Sequence, residues 1–260
     1  MSKATETLKL AVSRRVLTGL IATAVFVGVP GAAAHATGSG QHAGKAVAPA
    51  SQLACTNSAS TVQYAIATAD GGLYHTIRFA NGTWQPKGNL KTELGITSAI
   101  TAVATAKSPA GEQYVIATAD GGLYHTIRYA NGNWQPKRDL NAQLGITSAT
   151  KAVGAAFDGT NVQFVIATVN GDLWHTARFV NGNWQPKGNL NAQLGITSAT
   201  TAVAAAKSPV GEQFVIATAN GGLYHTIRFA NGTWQPKGNL AAQLGITSAA
   251  TGVAADSSCN

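Results

Sequence analysis

The twenty residues Gly71–Leu90, GGLYHTIRFANGTWQPKGNL, return without a change as Gly221–Leu240, and close copies end at Leu140 and Leu190. Trp84, Trp134, Trp184 and Trp234 are spaced by a strict 50 residues. A period of this size marks one supersecondary unit written four times, as in propellers and other repeat arrays. Such a unit cannot bury its apolar surface alone, so neighbouring copies must stack to make the core.

Within the second copy, Ala102–Ala106, Gln113–Thr118, Leu123–Tyr129 and Trp134–Lys137 read as four short strands, rich in β-branched and aromatic residues. Asp120-Gly121 and Asn131-Gly132 read as tight two-residue hairpin turns, and Lys107–Glu112 as a longer loop. Four strands joined by three hairpins form an antiparallel meander, the blade of a propeller, whereas a solenoid repeat needs a helix or a parallel coil. Side chains without bulk, as in Thr201–Ala206, suit an innermost strand crowded around a narrow axis. Pro86, Pro136, Pro186 and Pro236 fall on the last strand of each unit and, lacking an N–H to donate, mark it as the outer edge. The expectation is an all-β chain, a β-propeller of four four-stranded antiparallel blades over residues 54–260.

The two ends of the chain complement one another. Ala250–Ala255 repeats the innermost strand with no further strands after it, and Thr61–Ile66 begins at the second strand with no innermost strand before it. One blade built from both termini closes the ring and brings Cys55 near Cys259. A Cys55–Cys259 disulfide would constrain the unfolded chain by about 4–5 kcal/mol on the loop-entropy argument. The competing architecture is a head-to-tail assembly of chains in a larger ring, against which an intrachain disulfide would argue.

Residues 1–36 stand apart. Arg14-Arg15 leads into the apolar run Val16–Val29, and Ala34-His35-Ala36 offers a small-residue cleavage site, which reads as an export signal of twin-arginine or ordinary secretory type. The run is shorter than the roughly 20 residues of a spanning helix, so no membrane insertion is expected. Residues 37–53 read as a flexible linker, and the mature protein as secreted and extracellular. Without residues 1–36 the formal charge falls from +8 to +5, with no Lys/Arg stripe of the kind that nucleic-acid binding requires.

Copies this alike can be recent duplicates, so the third copy is the informative one. It has drifted to Val169, Asp172, Trp174, Ala177 and Val180, yet keeps His175, Arg178, Asn181, Gly182, Trp184, Gln185 and Lys187. Strand alternation puts His75 and Arg78 on opposite faces, each toward an inter-blade cleft, with Trp84 near the rim. Together with Gln85, such a cleft offers an aromatic plate, a guanidinium fork, an imidazole and an amide, a set able to hold a sugar. Each residue also has a structural reading. The tryptophans can be packing wedges, the arginines can satisfy buried carbonyls, the histidines can be structural imidazoles, and Lys87, Lys137, Lys187 and Lys237 can form a solvated rim. Catalysis finds no recurring carboxylate pair, since Asp70 and Asp120 become Asn170 and Asn220. No metal-ligand spacing appears, and no cofactor is expected.

The GGLYHTIR…NGTWQPKGNL unit resembles the repeat of secreted bacterial propeller lectins that bind fucose, and more distantly tectonin and tachylectin-type repeats. The resemblance spans residues 61–256 and implies a monosaccharide at each blade interface. Carried over by position, it implies sugar contacts from Arg78, Arg128, Arg178 and Arg228 with Trp84, Trp134, Trp184 and Trp234, and secondary contacts from His75, His125, His175 and His225. The function it implies is a non-catalytic, multivalent lectin for fucosylated or methylated glycans, with a homo-oligomer open. A structural or protein-interaction propeller without sugar binding is the alternative. Four repeats are fewer than better-known members carry, which changes the wedge between neighbours.

Overall fold

The computed structural model describes residues 61–255. The expected leader, the linker and the Cys55–Cys259 pair lie outside them. In chain order the elements are β1 (Val62–Ala67), β2 (Leu73–Arg78), β3 (Gly88–Asn89), α1 (Leu90–Leu94), β4 (Ile100–Ser108), β5 (Gly111–Thr118), β6 (Leu123–Arg128), β7 (Arg138–Asp139) and α2 (Leu140–Leu144). They continue as β8 (Thr150–Phe157), β9 (Val162–Thr168), β10 (Leu173–Arg178), β11 (Gly188–Asn189), α3 (Leu190–Leu194), β12 (Thr200–Ser208), β13 (Gly211–Thr218), β14 (Leu223–Arg228), β15 (Gly238–Asn239) and α4 (Leu240–Leu244). β4–β7, β8–β11 and β12–β15 are antiparallel four-stranded meanders, and β1–β3 is a three-stranded one.

The repeat therefore builds four antiparallel sheets among the described residues, one per copy, as the alternation and turn signals require. Both hairpin loops differ from the expected two residues. Thr118 N–H donates to the Gly122 carbonyl, and Tyr129 N–H to the Asn133 carbonyl, so each loop holds three residues. Within these two loops positive φ falls on Gly121 and Gly132 alone, and no non-glycine residue adopts it, which excludes the two-residue type that needs it at both central positions.

The outer strand is also shorter than expected. Pro136 interrupts pairing after an isolated bridge at Trp134, so the strand expected at Trp134–Lys137 becomes the two residues Arg138–Asp139. A short helix follows that the strand reading did not foresee. Its start is capped by Asp139, whose carboxylate accepts from the Ala142 N–H, and its end by Gly145 at φ 63°. Asn89 with Gly95 and Asn189 with Gly195 do the same for α1 and α3.

The core lies between blades. Val115, Leu123, Leu140, Leu144 and Ile146 of the second blade pack with Val153, Val162, Phe164 and Ile166 of the third. Equivalent clusters join the first blade to the second and the third to the fourth. The lysines read as a solvated rim fasten these junctions. Lys137 Nζ donates to the carbonyls of Leu94 and Gly95 at 2.8 and 2.9 Å, and Lys187 does so to Leu144 and Gly145. A cation at a helix C-terminus meets carbonyls that have no partner inside the helix.

The expected ring closure by both termini is not formed. Residues 250–255 make no strand, and the first sheet keeps three strands. Ala250 stands where Ile100, Thr150 and Thr200 are buried, and Gly252 replaces an alanine, so the segment has lost both an anchor and backbone preference for a strand. We expect Leu144→Ala to destabilise the fold by about 2–5 kcal/mol in urea unfolding, and Val180→Ala, on the exposed hairpin, by less than about 0.5 kcal/mol. Equal effects would show that the junction helices carry no core.

Candidate functional site

Each cleft begins with a hairpin. In Phe79–Thr83 the Gly82 N–H donates to the Phe79 carbonyl, Phe79 N–H to the Thr83 carbonyl, and Asn81 Oδ1 accepts from the Thr83 N–H. The loop pairs Arg78 with Trp84 across the two arms. Side chains paired directly across antiparallel strands project to the same side, so the Arg78 guanidinium lies 5.1 Å over the Trp84 ring and that of Arg128 6.0 Å over Trp134.

The other face of the same strand carries the histidine, which meets the following blade. His75 stands edge-on to Trp134 with centroids 5.3 Å apart, His125 to Trp184 at 5.1 Å, and His175 to Trp234 at 5.1 Å. A cleft is therefore made of His and Gln from one blade and Arg and Trp from the next. In the first cleft, His75, Gln85, Asn89, Glu93, Arg128 and Trp134 border a cavity of about 210 Å³. In the third, Arg228 Nη2 donates to Gln185 Oε1 at 3.4 Å across the junction. Below each tryptophan lies a buried aromatic of its own blade: Tyr114 under Trp134, Phe164 under Trp184 and Phe214 under Trp234.

The histidines are held rather than presented. His125 Nε2 lies 2.9 Å from Gln113 Oε1, and Gln113 Nε2 donates to Ser108 Oγ, which fixes the amide so that its oxygen faces the ring. An oxygen accepts, so Nε2 carries the proton and Nδ1 is left bare, buried without a partner. Gln63 and Gln163 hold His75 and His175 at 2.9 and 2.8 Å. His125 has no exposed surface and His175 only 2%. His125 and His175, so buried, set the angle of the next blade's tryptophan, while His75 also borders the cavity of the first cleft. The glutamines that hold them went unread, although Gln63, Gln113, Gln163 and Gln213 share the 50-residue period. The helix cap Asn89 and the helix residue Glu93 were missed as cleft lining because the helix itself was missed.

Burial, and after it the Arg128 guanidinium, pushes the His75 imidazole down to about 4. Burial, then Arg178 and Arg138, pushes His125 to about 3, and burial, then Arg228, does the same to His175. All three rings are neutral at pH 7. A folded pKa below the unfolded value of about 6.5 gives stability that is complete above pH 6.5 and is lost as pH falls toward 3–4, because the unfolded chain takes up the protons first.

Three clefts are complete among the described residues. At the ends of the array stand the halves of a fourth. Among the described residues Arg78 and Trp84 face no neighbouring histidine, and Trp84, resting on Tyr64, is 51% exposed; nor does His225, bonded to Gln213, meet a tryptophan there. A stacked indole and guanidinium above a small polar cavity can take the apolar face of a pyranose and donate to its hydroxyls. The volume falls below the ~300–1,000 Å³ of pockets for drug-sized ligands and suits one small ring. Glu93 is the one carboxylate of the first cavity, and Gln143 and Gln193 occupy its place in the next two units.

We expect the unfolding free energy to fall between pH 6.5 and 4, and to fall by about 2 kcal/mol less in His125→Gln, measured by urea unfolding across that range. Parallel pH dependences would sink the assignment of a neutral, desolvated His125.

No known family's sequence profile matches the chain, and no curated protein does. Among solved structures the chain resembles a fungal lectin from Aleuria aurantia, described as a six-bladed β-propeller with a fucose recognition mode. The TM-score is 0.53 at 16% identity over 77% of this chain, which spans 64% of that lectin's length. BP39L lectin from Burkholderia pseudomallei gives 0.49 at 17% identity, over 69% of this chain and 51% of the lectin. NanB sialidase from Streptococcus pneumoniae gives 0.44 at 14%, over 63% of this chain and 27% of the sialidase; these two scores are too low to bear an argument. At such identities the likeness to the Aleuria protein shows the propeller fold.

Proposed function

We propose that the chain is a multivalent carbohydrate-binding protein without a catalytic step, exported through its leader, whose inter-blade clefts take fucose or related, including methylated, sugars. The observation that carries this reading is the Arg–Trp pair across each hairpin, repeated in every unit and set beside a neutral, fixed histidine at the three inner junctions, with the guanidinium stacked over the indole at Arg128 and Trp134. The Aleuria aurantia lectin, which the chain resembles in fold, is fucose-specific. The arginine forks supply charged donors to vicinal hydroxyls, the glutamine amides across the cleft complete the polar rim, and the indoles cover the C–H face.

Multivalency supplies the strength. A single sugar is held weakly, but several clefts on one rigid array raise the effective concentration at a glycan-coated surface, lifting avidity by about 10²–10⁴ over one site. Cleft residues come from different blades, so each site exists only where two units are docked.

The test is a glycan array read with and without free L-fucose, followed by calorimetric titration with a methyl fucoside. Arg178→Ala should lower the number of sites bound per chain while leaving urea unfolding unchanged. Unfolding of this variant would make Arg178 architectural, and a blank array from folded protein would remove the sugar assignment.

A further inference from the structure

The two ends of the array carry the halves of a junction that the chain makes three times elsewhere. On the leading face, Tyr64 and Ile66 are 39% and 47% exposed, whereas Tyr114 and Ile116, one period on, are completely buried. On the trailing face, Leu244 and Ile246 are 61% and 40% exposed, whereas Leu94, Leu144, Leu194, Ile96, Ile146 and Ile196 are all buried under the next blade. The polar fastening is split in the same way. Lys237 reaches the carbonyls of Leu194 and Gly195, as Lys137 and Lys187 do at their junctions. All four lysines rest over an aromatic ring of their own blade, Lys87 at 4.6 Å over Tyr74, but among the described residues Lys87 alone has no neighbouring helix carbonyl to cap.

We propose that these faces pair between two copies of the chain, head to tail, so that each trailing face seats on the other copy's leading face and a two-fold ring of eight blades closes. The occupant is specified by continuity with the internal junctions. The sequence that buries Leu94 against the second blade recurs at Leu244, and the first blade presents the same tyrosine, tryptophan and lysine that the second uses to receive it. At each seam Lys87 caps the carbonyls of Leu244 and Gly245 of the partner subunit, and Trp84 sets its face against His225 of the partner subunit, completing a cleft to which both copies contribute.

Curvature favours a second copy over closure of one chain on itself. At the junction angle of the six-bladed lectin that the chain resembles, a sixth of a circle, four blades fall short of a full ring. Four blades alone would need a quarter turn at every junction, and eight need an eighth, the smaller change. A head-to-tail contact closes only when its rotations sum to a full turn, and otherwise runs on as an open filament.

This pairing stands whether or not the clefts bind sugar. Sedimentation equilibrium of the purified full chain at micromolar concentration should return twice the chain mass, and Leu244→Asp should halve it with circular dichroism unchanged. If Leu244→Asp disturbs the fold, Lys87→Glu, on the exposed rim, is read for the same halving. A parent of single-chain mass overturns the proposal, as does a mass that climbs past two copies with concentration. So does a two-copy mass that survives a folded Leu244→Asp or Lys87→Glu chain.

Discussion

A blade of this protein has no interior of its own. Its sheet is one layer thick, and the apolar side chains on each face are covered only by the neighbouring blade and by the short helix that precedes it. The constraint on everything else is therefore the junction: a leucine pair from the capped helix, a lysine across to the helix's last carbonyls, and a tryptophan wedged between its own blade's aromatic and the previous blade's histidine. The cleft that faces solvent is the outer end of that packing. Stability and the proposed recognition draw on the same residues.

This sharing explains why the structural and functional readings of the repeat residues could not be separated from sequence. Arg128 and Trp134 are paired by backbone register, and Trp134 is also a wedge. His125 belongs to the wedge alone: its ring is desolvated, its proton is spoken for by Gln113, and its remaining nitrogen faces no solvent. Removing water from a cationic ring costs far more than from a neutral one, which is why these imidazoles stay uncharged beside the arginines of the next blade.

Much of the fold was legible because it rests on period and local rules: the 50-residue repeat, alternation along Leu123–Arg128, glycine at the turns, proline at the edge. The loop lengths were not, because Asp-Gly and Asn-Gly serve both two- and three-residue hairpins and the register of the flanking strands decides between them. The helix at Leu140–Leu144 was missed because five residues give too little periodicity, although its signal was present as Asp139 before and Gly145 after. The reach of Lys137 to a carbonyl 43 residues back is a tertiary contact that no local rule contains. Closure by both termini followed from counting strands, but counting is blind to what Ala250 and Gly252 remove.

The hairpin that carries each arginine and tryptophan also fixes the way this repeat can change. Because side chains alternate along a strand, Arg78 and Trp84 share a face only while the arms stay in register across the Phe79–Thr83 segment. Phe79 is Tyr129 in the second unit, Ala80 is Val180 in the third, and Thr83 is Asn133 or Asn183. The composition of the loop drifts while its length holds, since one residue more or less would reverse the parity of the second arm and turn the indole to the other side. The cleft is thus written in a number as much as in side chains, and that number leaves the hairpin tip free to vary without disturbing what lies beneath it.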